Sequence, residues 1–223
     1  MNGILAPTSD NAHPLMHTYL QTMLAGDRQL AHSLIIDAFH DGLSLRAIYL
    51  DVFQPALYEV GRLWERGAIS VAQEHLATAI TQGVLASIYT AVPVAPRKPQ
   101  RAVVACLRGN YHEIGARMMA DFLQSSGYDT LFLGANTPDD SLLELISQQR
   151  PEIIGLPSTM TSQVQGVQST IMQIRGDFAS FHPTILVGGM AFNAVDGLWK
   201  KVGADVWGRD AGEALDHLIG AAA

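Results

Sequence analysis

The spacing of apolar residues changes character near the middle of the chain. From Pro14 to about Ala91 they recur with a helical period, and no strand-like run interrupts them. His13 to Ala25 sets Leu15, Met16, Tyr19, Leu20 and Met23 on one face of a first helix. Gly26-Asp27 breaks it, and Asp27 is placed to cap a second helix carrying Leu30, Leu34, Ile35, Ala38 and Phe39. Asp41-Gly42 ends that helix, and Ser44 opens a third with Leu45, Ile48, Val52 and Phe53. Pro55 should kink or restart the helix, because it lacks the N–H its turn would use. A fourth helix, Ala56 to Glu65, stops at Gly67. Ser70 and Gln73 then form a capping box that launches a long helix through Ile88. Short loops between such helices imply antiparallel neighbours, hence a small all-α bundle over residues 13–91, with residues 1–12 read as a disordered N-terminus.

Residues 92–100, Val-Pro-Val-Ala-Pro-Arg-Lys-Pro-Gln, read as a linker and domain boundary. Beyond it, over 101–223, short apolar runs alternate with helical patterns. The strand candidates are Ala102–Leu107, Thr130–Leu133, Ile153–Leu156, Thr184–Val187 and Asp205–Trp207. Helices are expected at Glu113–Ser125, Asp139–Gln149, Gln163–Arg175, Phe192–Lys201 and Gly212–Ile219. Repeated β-α units predict an α/β fold: a flavodoxin- or Rossmann-like five-stranded parallel sheet, helices on both faces, strand order 2-1-3-4-5. In that order a ligand crevice lies outside the carboxyl ends of strands one, three and four. Three loops stand there: Asn110-Tyr111-His112-Glu113-Ile114-Gly115, Pro157-Ser158-Thr159-Met160-Thr161, and Gly188-Gly189-Met190-Ala191-Phe192.

Charge and composition narrow the reading. The chain has 223 residues, with 14 basic against 21 acidic and a net charge of −7. Without a Lys/Arg block it lacks the footprint of a nucleic-acid binder. The single cysteine, Cys106, excludes an internal disulfide and a multi-cysteine zinc site, and reads as a buried small hydrophobe. Met1 to Ala12 shows no secretory signal pattern. His75 to Ala95 contains no Asp, Glu, Lys or Arg, but Thr78, Thr81, Gln82, Gly83, Ser87 and Pro93 fit a buried bundle helix better than a membrane span. A soluble, cytoplasmic protein without membrane contact is expected.

Two places carry more than packing requires. His112 stands where an open α/β sheet binds ligands, and imidazole is a common donor to transition metals. At one end of the bundle, Trp64 closes a helix and Glu74-His75 begin the next, an indole and two hydrogen-bonding side chains around a tight turn. That group suits the roof of a large planar ligand. His13, His17, His32, His40, His182 and His217 are scattered and are assigned no chemistry.

These residues resemble a known family. The C-terminal half is similar to the cobalamin-binding fold of methionine synthase, methyltransferase corrinoid proteins and cobalamin-dependent regulators. Its signature is D-x-H-x-x-G, then S-x-T or S-x-L, then G-G. Here His112 and Gly115, Ser158-Thr159-Met160, and Gly188-Gly189 follow at comparable spacings, and the bundle looks like the family's cap module. The resemblance implies that His112 is the lower axial ligand to cobalt, displacing the cofactor's dimethylbenzimidazole. It implies that Ser158 and Met160 line the displaced nucleotide tail, that Gly188-Gly189 leave room for it, and that Tyr111, Thr159 and Met190 flank the site. Asn110 stands where the family has Asp, or Glu in some regulators. It can accept the second N–H of His112 but brings no charge, which implies a less electron-rich ligand.

Trp64, nine intervening residues, then Glu74-His75 resembles the W-x9-E-H pattern of light-sensing regulators that bind adenosylcobalamin. By that likeness Trp64 covers the adenosyl group and Glu74 takes its ribose hydroxyls, with His75 nearby. Light then breaks the cobalt–carbon bond and the bundle moves. Where the best-known members have a histidine after the tryptophan, which ligates cobalt after photolysis, this chain has Glu65. A bis-histidine photoproduct would need another residue, His75 being nearest in sequence.

The leading expectation is a cobalamin-dependent sensor rather than an enzyme, signalling in transcription regulation through a homo-oligomer or a separate regulator, since no DNA-binding pattern precedes the bundle. The alternative is a corrinoid methyl carrier serving methyltransferases, against which the W-x9-E-H pattern argues. A mutase subunit lacks a substrate barrel here. Some similar photoreceptors hold a second, bilin chromophore (biliverdin). Cys106 is a poor attachment point for one, which leaves noncovalent binding.

Overall fold

The computed structural model describes residues 12–221. Residues 1–11 of the segment read as a disordered N-terminus lie outside them, whereas Ala12 is buried and opens the first helix. The chain divides into two compact units between Pro93 and Val94.

The first unit is all helical: α1 Ala12–Leu24, α2 Arg28–His40, α3 Leu45–Ala47, α4 Gln54–Glu65 and α5 Val71–Tyr89. The local signals act as the sequence suggests. Asp27 accepts from the Leu30 N–H at 2.9 Å, and Ser44 from the Ala47 N–H at 3.1 Å. Ser70 and Gln73 form a reciprocal capping box. The restart expected at Pro55 takes the form of a change of helix type. A π-helical segment, Ile48–Phe53, joins α3 to α4, and Pro55 falls in the first turn of α4 just after it. The wider turn removes the need for the N–H that proline lacks. Tyr19, Met23, Ile35, Tyr49, Phe53, Ile80, Leu85 and Ile88 fill the interior; Leu30, expected on a buried face, is exposed. Each fully buried apolar side chain of this size stabilises the unit by roughly 1.5–3 kcal/mol. The Tyr19 hydroxyl donates to Thr81 Oγ1 at 3.0 Å, and the Thr81 hydroxyl donates to the Ala77 carbonyl at 3.0 Å. The polar groups of α5 are thus satisfied within the bundle, and among the described residues no helix is long and apolar enough to cross a membrane.

The second unit alternates strand and helix: β1 Arg101–Val104, α6 Ile114–Ser125, β2 Asp129–Phe132, α7 Asp139–Gln149, β3 Ile153–Gly155, α8 Val164–Asp177, β4 Thr184–Gly188, α9 Met190–Asn193, α10 Leu198–Lys201, β5 Val206–Gly208 and α11 Ala211–Ala221. The five strands form one parallel sheet in the order β2-β1-β3-β4-β5. One face is a continuous core of Val103, Ile154, Ile185 and Val187 against Leu142 and Ile146 of α7 and Val167, Ile171 and Ile174 of α8. The opposite face is covered by α6 and α11, which pack on each other. The single helix expected over Phe192–Lys201 is instead two short pieces, because Gly197 adopts φ +69°, outside the helical region. Within the proline-rich stretch, Ala95 donates to the Ser125 carbonyl at 2.9 Å and Lys98 to the Gly127 carbonyl at 2.8 Å, so this part lies along the end of α6. At the amino edge of the sheet, hydrogen bonding from Arg101 holds the Asp129 carboxyl below the usual carboxylate range.

Candidate functional site

Strands β1, β3 and β4 are adjacent in the sheet, so the loops leaving their carboxyl ends are neighbours. The first loop begins at buried Cys106, whose thiol donates to the His112 carbonyl at 3.9 Å. Burial, and then the nearby Glu113 carboxylate, push that thiol up to about 12, so it stays protonated and inert. Asn110 is buried, at 1% exposure. Its carboxamide oxygen accepts the backbone N–H of His112 at 3.1 Å, and its amide nitrogen donates to the Pro157 carbonyl at 2.9 Å. The expectation that Asn110 accepts from the imidazole is therefore not what the structure has. An Asx turn uses the oxygen locally, and the cross-loop bond uses the nitrogen. An aspartate here would keep the turn and lose the donor to Pro157. His112 itself is exposed, at the entrance to α6.

The second loop carries Ser158, Thr159 and Met160. Ser158 is fully buried; its hydroxyl points at the Met160 carbonyl, 3.3 Å away, and at Gln163 Oε1, 3.1 Å away. The third loop crosses directly over it. Gly189 has φ +92°, and a Cβ there would lie 2.4 Å from the Ser158 carbonyl oxygen. A glycine is thus demanded at this position by the crossing of two protein loops, before any ligand is considered. Gly188 is less constrained, since its Cβ would meet the Gly208 carbonyl at 3.4 Å. The structure therefore brings together Asn110, the backbone of His112, Ser158, Gly188 and Gly189.

Sequence reasoning missed Gln163. Its Oε1 accepts from the Ser158 hydroxyl and from the Thr159 and Met160 N–H groups at 3.2 and 3.0 Å, while its Nε2 donates to the Gly109 carbonyl at 3.0 Å. Asn136, at φ +52°, was missed as well; its side-chain oxygen accepts from the Gly109 N–H at 2.9 Å. The signals available were an amide side chain shortly after the serine and an asparagine, which tolerates left-handed backbone.

Two properties of this edge bear on what it holds. Tyr111 (70% exposed), Met160 (52%) and Met190 (51%) present large apolar side chains on three adjacent loops, a pattern that marks a binding surface. At Gly115, in the first turn of α6, no heavy atom lies within 4 Å of where a Cβ would stand. Among the described residues, moreover, no three His, Cys, Asp or Glu side chains cluster to hold a metal ion. A metal held within a large macrocycle needs a single protein donor and an apolar surface, and this edge fits such a group with His112 and its exposed apolar side chains.

The remaining candidates lie in the first unit. Trp64 is near the end of α4 and 48% exposed. Glu74 and His75, in the first turns of α5, are joined side chain to side chain at 2.5 Å, and the Thr78 hydroxyl donates to Glu74 at 3.0 Å.

Comparison with known proteins agrees with this chemistry. Two family models, each described as a B12 binding domain, match residues 15–89 and residues 100–218. The HTH-type transcriptional repressor CarH of Myxococcus xanthus is 27% identical over 216 residues, covering 95% of this chain and 70% of the relative. The HTH-type transcriptional repressor CarA of the same organism is 30% identical over 155 residues, covering 70% of this chain; the chain spans about half (48%) of that relative's length. Dimethylamine corrinoid protein 3 of Methanosarcina acetivorans is 27% identical over 159 residues, covering 70% and 73% of the two chains. Among solved structures, the Methanosarcina barkeri monomethylamine corrinoid protein shares the fold, with a TM-score of 0.82 over 93% of this chain and 98% of that one at 15% identity. The chain accordingly belongs to the B12 binding domain family and is a cobalamin-binding protein, with a helical cap ahead of a Rossmann-like domain.

Proposed function

We propose that this protein is an adenosylcobalamin-dependent photoreceptor. The observation that carries the reading is the end of the bundle: a half-exposed indole at Trp64 near the end of α4, and the joined Glu74–His75 pair in the first turns of α5. A large apolar ring and an anchored carboxylate are what a nucleoside-sized upper ligand needs: a surface to stack on and an acceptor for its hydroxyls. When bound, the cobalamin supplies a cobalt–carbon bond that visible light breaks. His112 would hold the metal, with the buried Asn110 turn fixing its backbone. Ser158, Thr159, Met160, Gly188, Gly189, Met190, Tyr111 and Gly115 would line the cofactor. Trp64 and Glu74 would bind the adenosyl group, and loss of that group would be the signal. Glu65 offers oxygen rather than nitrogen to the metal, and His75 is the nearest histidine in sequence that would replace the lost ligand. Similarity to the repressors CarH and CarA supports a regulatory role, exerted through self-association or a separate regulator. A bilin carried as second chromophore is held without a thioether, since the one thiol is buried.

The second reading, a methyl carrier for methyltransferases, is favoured by similarity to the dimethylamine corrinoid proteins. One experiment separates the two. The full chain is loaded with adenosylcobalamin in darkness, and its absorption spectrum and size-exclusion elution are compared before and after green light. The photoreceptor gives an irreversible spectral change and a changed elution volume. Tighter retention of methylcobalamin, with assembly unaffected by light, would replace it with the methyl carrier.

A further inference from the structure

Two of the three loops at the carboxyl edge are bridged by one side chain. Gln163 stands at the amino end of α8 and engages both ends of its amide. Its oxygen gathers the Ser158 hydroxyl and the Thr159 and Met160 amides; its nitrogen reaches the Gly109 carbonyl, 54 residues away in sequence. Gly109 lies immediately before Asn110, whose own amide donates to Pro157. The segment leading to His112 is therefore tied to the Ser158 loop at two consecutive residues. The two ties differ in kind. Asn110 is buried and also makes the Asx turn, whereas Gln163 is only half-buried and does nothing for the core.

We infer that Gln163 is a positioning residue for His112: its bridge from the Ser158 loop to Gly109 holds the imidazole at the height and angle that the metal requires. This rests on the reading of His112 as the axial ligand. A loop released from Gln163 at the Gly109 carbonyl still folds, since the Gly109 N–H stays bonded to Asn136, but the imidazole samples a wider range of positions, and a ligand bond tolerates displacements of only a few tenths of an ångström. The bridge also joins the residues around the nucleotide tail to the residue that ligates the metal. A shift of the Ser158 hydroxyl on tail binding is passed through the Gln163 amide to Gly109.

The substitution Q163E isolates this role. A glutamate keeps the oxygen that collects the Ser158, Thr159 and Met160 donors, and a carboxylate at the start of α8 is favoured by the helix dipole. It cannot donate to the Gly109 carbonyl and repels it. Fold stability in urea should thus change little, because the helix dipole offsets the lost bond. Two readouts follow on the full chain. In the protein without cofactor, amide hydrogen exchange over residues 109–113 should accelerate at least five-fold in Q163E, while the Thr159 and Met160 amides keep their protection. In protein loaded with hydroxocobalamin and reduced to the cobalt(II) form, the fraction showing nitrogen hyperfine splitting by electron paramagnetic resonance should fall three- to ten-fold, with hydroxocobalamin affinity changed less than three-fold. Q163L should lose both sets of amide protections. Wild-type exchange and wild-type splitting in Q163E would overturn the inference. Absence of the splitting from the unsubstituted protein would instead remove His112 as the ligand, and the inference with it, whatever Q163E does.

Discussion

The two candidate surfaces, the His112 edge of the sheet and the Trp64 end of the bundle, are built on opposite plans. At the sheet edge the loops are tied to one another by hydrogen bonds: Asn110 to Pro157, Gln163 to Gly109 and the Ser158 segment, the Ser158 N–H to the Gly188 carbonyl. At the bundle end the pairing is local to one helix, Glu74 with His75 and Thr78, and the indole stands nearly half bare. A site fixed by cross-loop hydrogen bonds, each worth about 0.5–1.5 kcal/mol net, presents one geometry whether or not a ligand is there. A site made of exposed side chains depends on its ligand for order. The difference separates a preformed edge in the second unit from a ligand-dependent surface in the first.

The comparison breaks most severely at Gly189. A Gly189→Ala change combines a left-handed backbone with a Cβ 2.4 Å from the Ser158 carbonyl, and should cost the second unit about 3 kcal/mol or more. Urea denaturation followed by circular dichroism measures it. Gly188→Ala, with its nearest contact at 3.4 Å, should cost under about 1.5 kcal/mol; equal losses would mean that the loop crossing is not what fixes the edge. The next effect is chemical. His112 is exposed, so His112→Ala should shift stability by less than about 0.5 kcal/mol while removing the nitrogen-ligand signature from the bound cofactor's spectrum. An unchanged spectrum would assign the lower face to another group.

How far the sequence revealed this arrangement depended on the range of each interaction. The strands, their order and the caps at Asp27, Ser44 and Ser70 were legible because period and capping are local. His112, Ser158 and the glycine pair were legible as residue types at three loops, through resemblance. The reason for Gly189 was not: its constraint comes from the Ser158 carbonyl, which only the folded crossing reveals. Gln163 left no periodic trace, since its partner Gly109 lies on another strand's loop. The direction of the Asn110 side chain was also invisible. An amide can serve a ring nitrogen or a backbone, and the Asx turn decided it. The π-helical segment before Pro55 and the break at Gly197 went unseen because each depends on backbone conformation that composition suggests only weakly.

At the bundle end the expected effects are smaller than at Gly189 and fall on ligand choice as well as on folding. Trp64→Ala should cost about 1–2 kcal/mol, less than a core truncation, because nearly half of the indole lies outside the core. It should weaken adenosylcobalamin about ten-fold, the worth of one aromatic stack, and hydroxocobalamin by less than about three-fold. Equal losses would make Trp64 a packing residue. Glu74→Gln is the mildest change. The glutamine keeps an acceptor for the Thr78 hydroxyl but loses the carboxylate's bond to His75 and the charge that strengthens bonds to ligand hydroxyls, a difference of about 1 kcal/mol or five-fold in adenosylcobalamin affinity. Equilibrium dialysis in darkness against both cofactors reads it, with hydroxocobalamin expected to show no change. Because Trp64 and Glu74 would touch the same upper group, the double variant should lose less than the product of the single losses. Independent losses would mean that the two side chains serve different partners, and the bundle end would then no longer be one site.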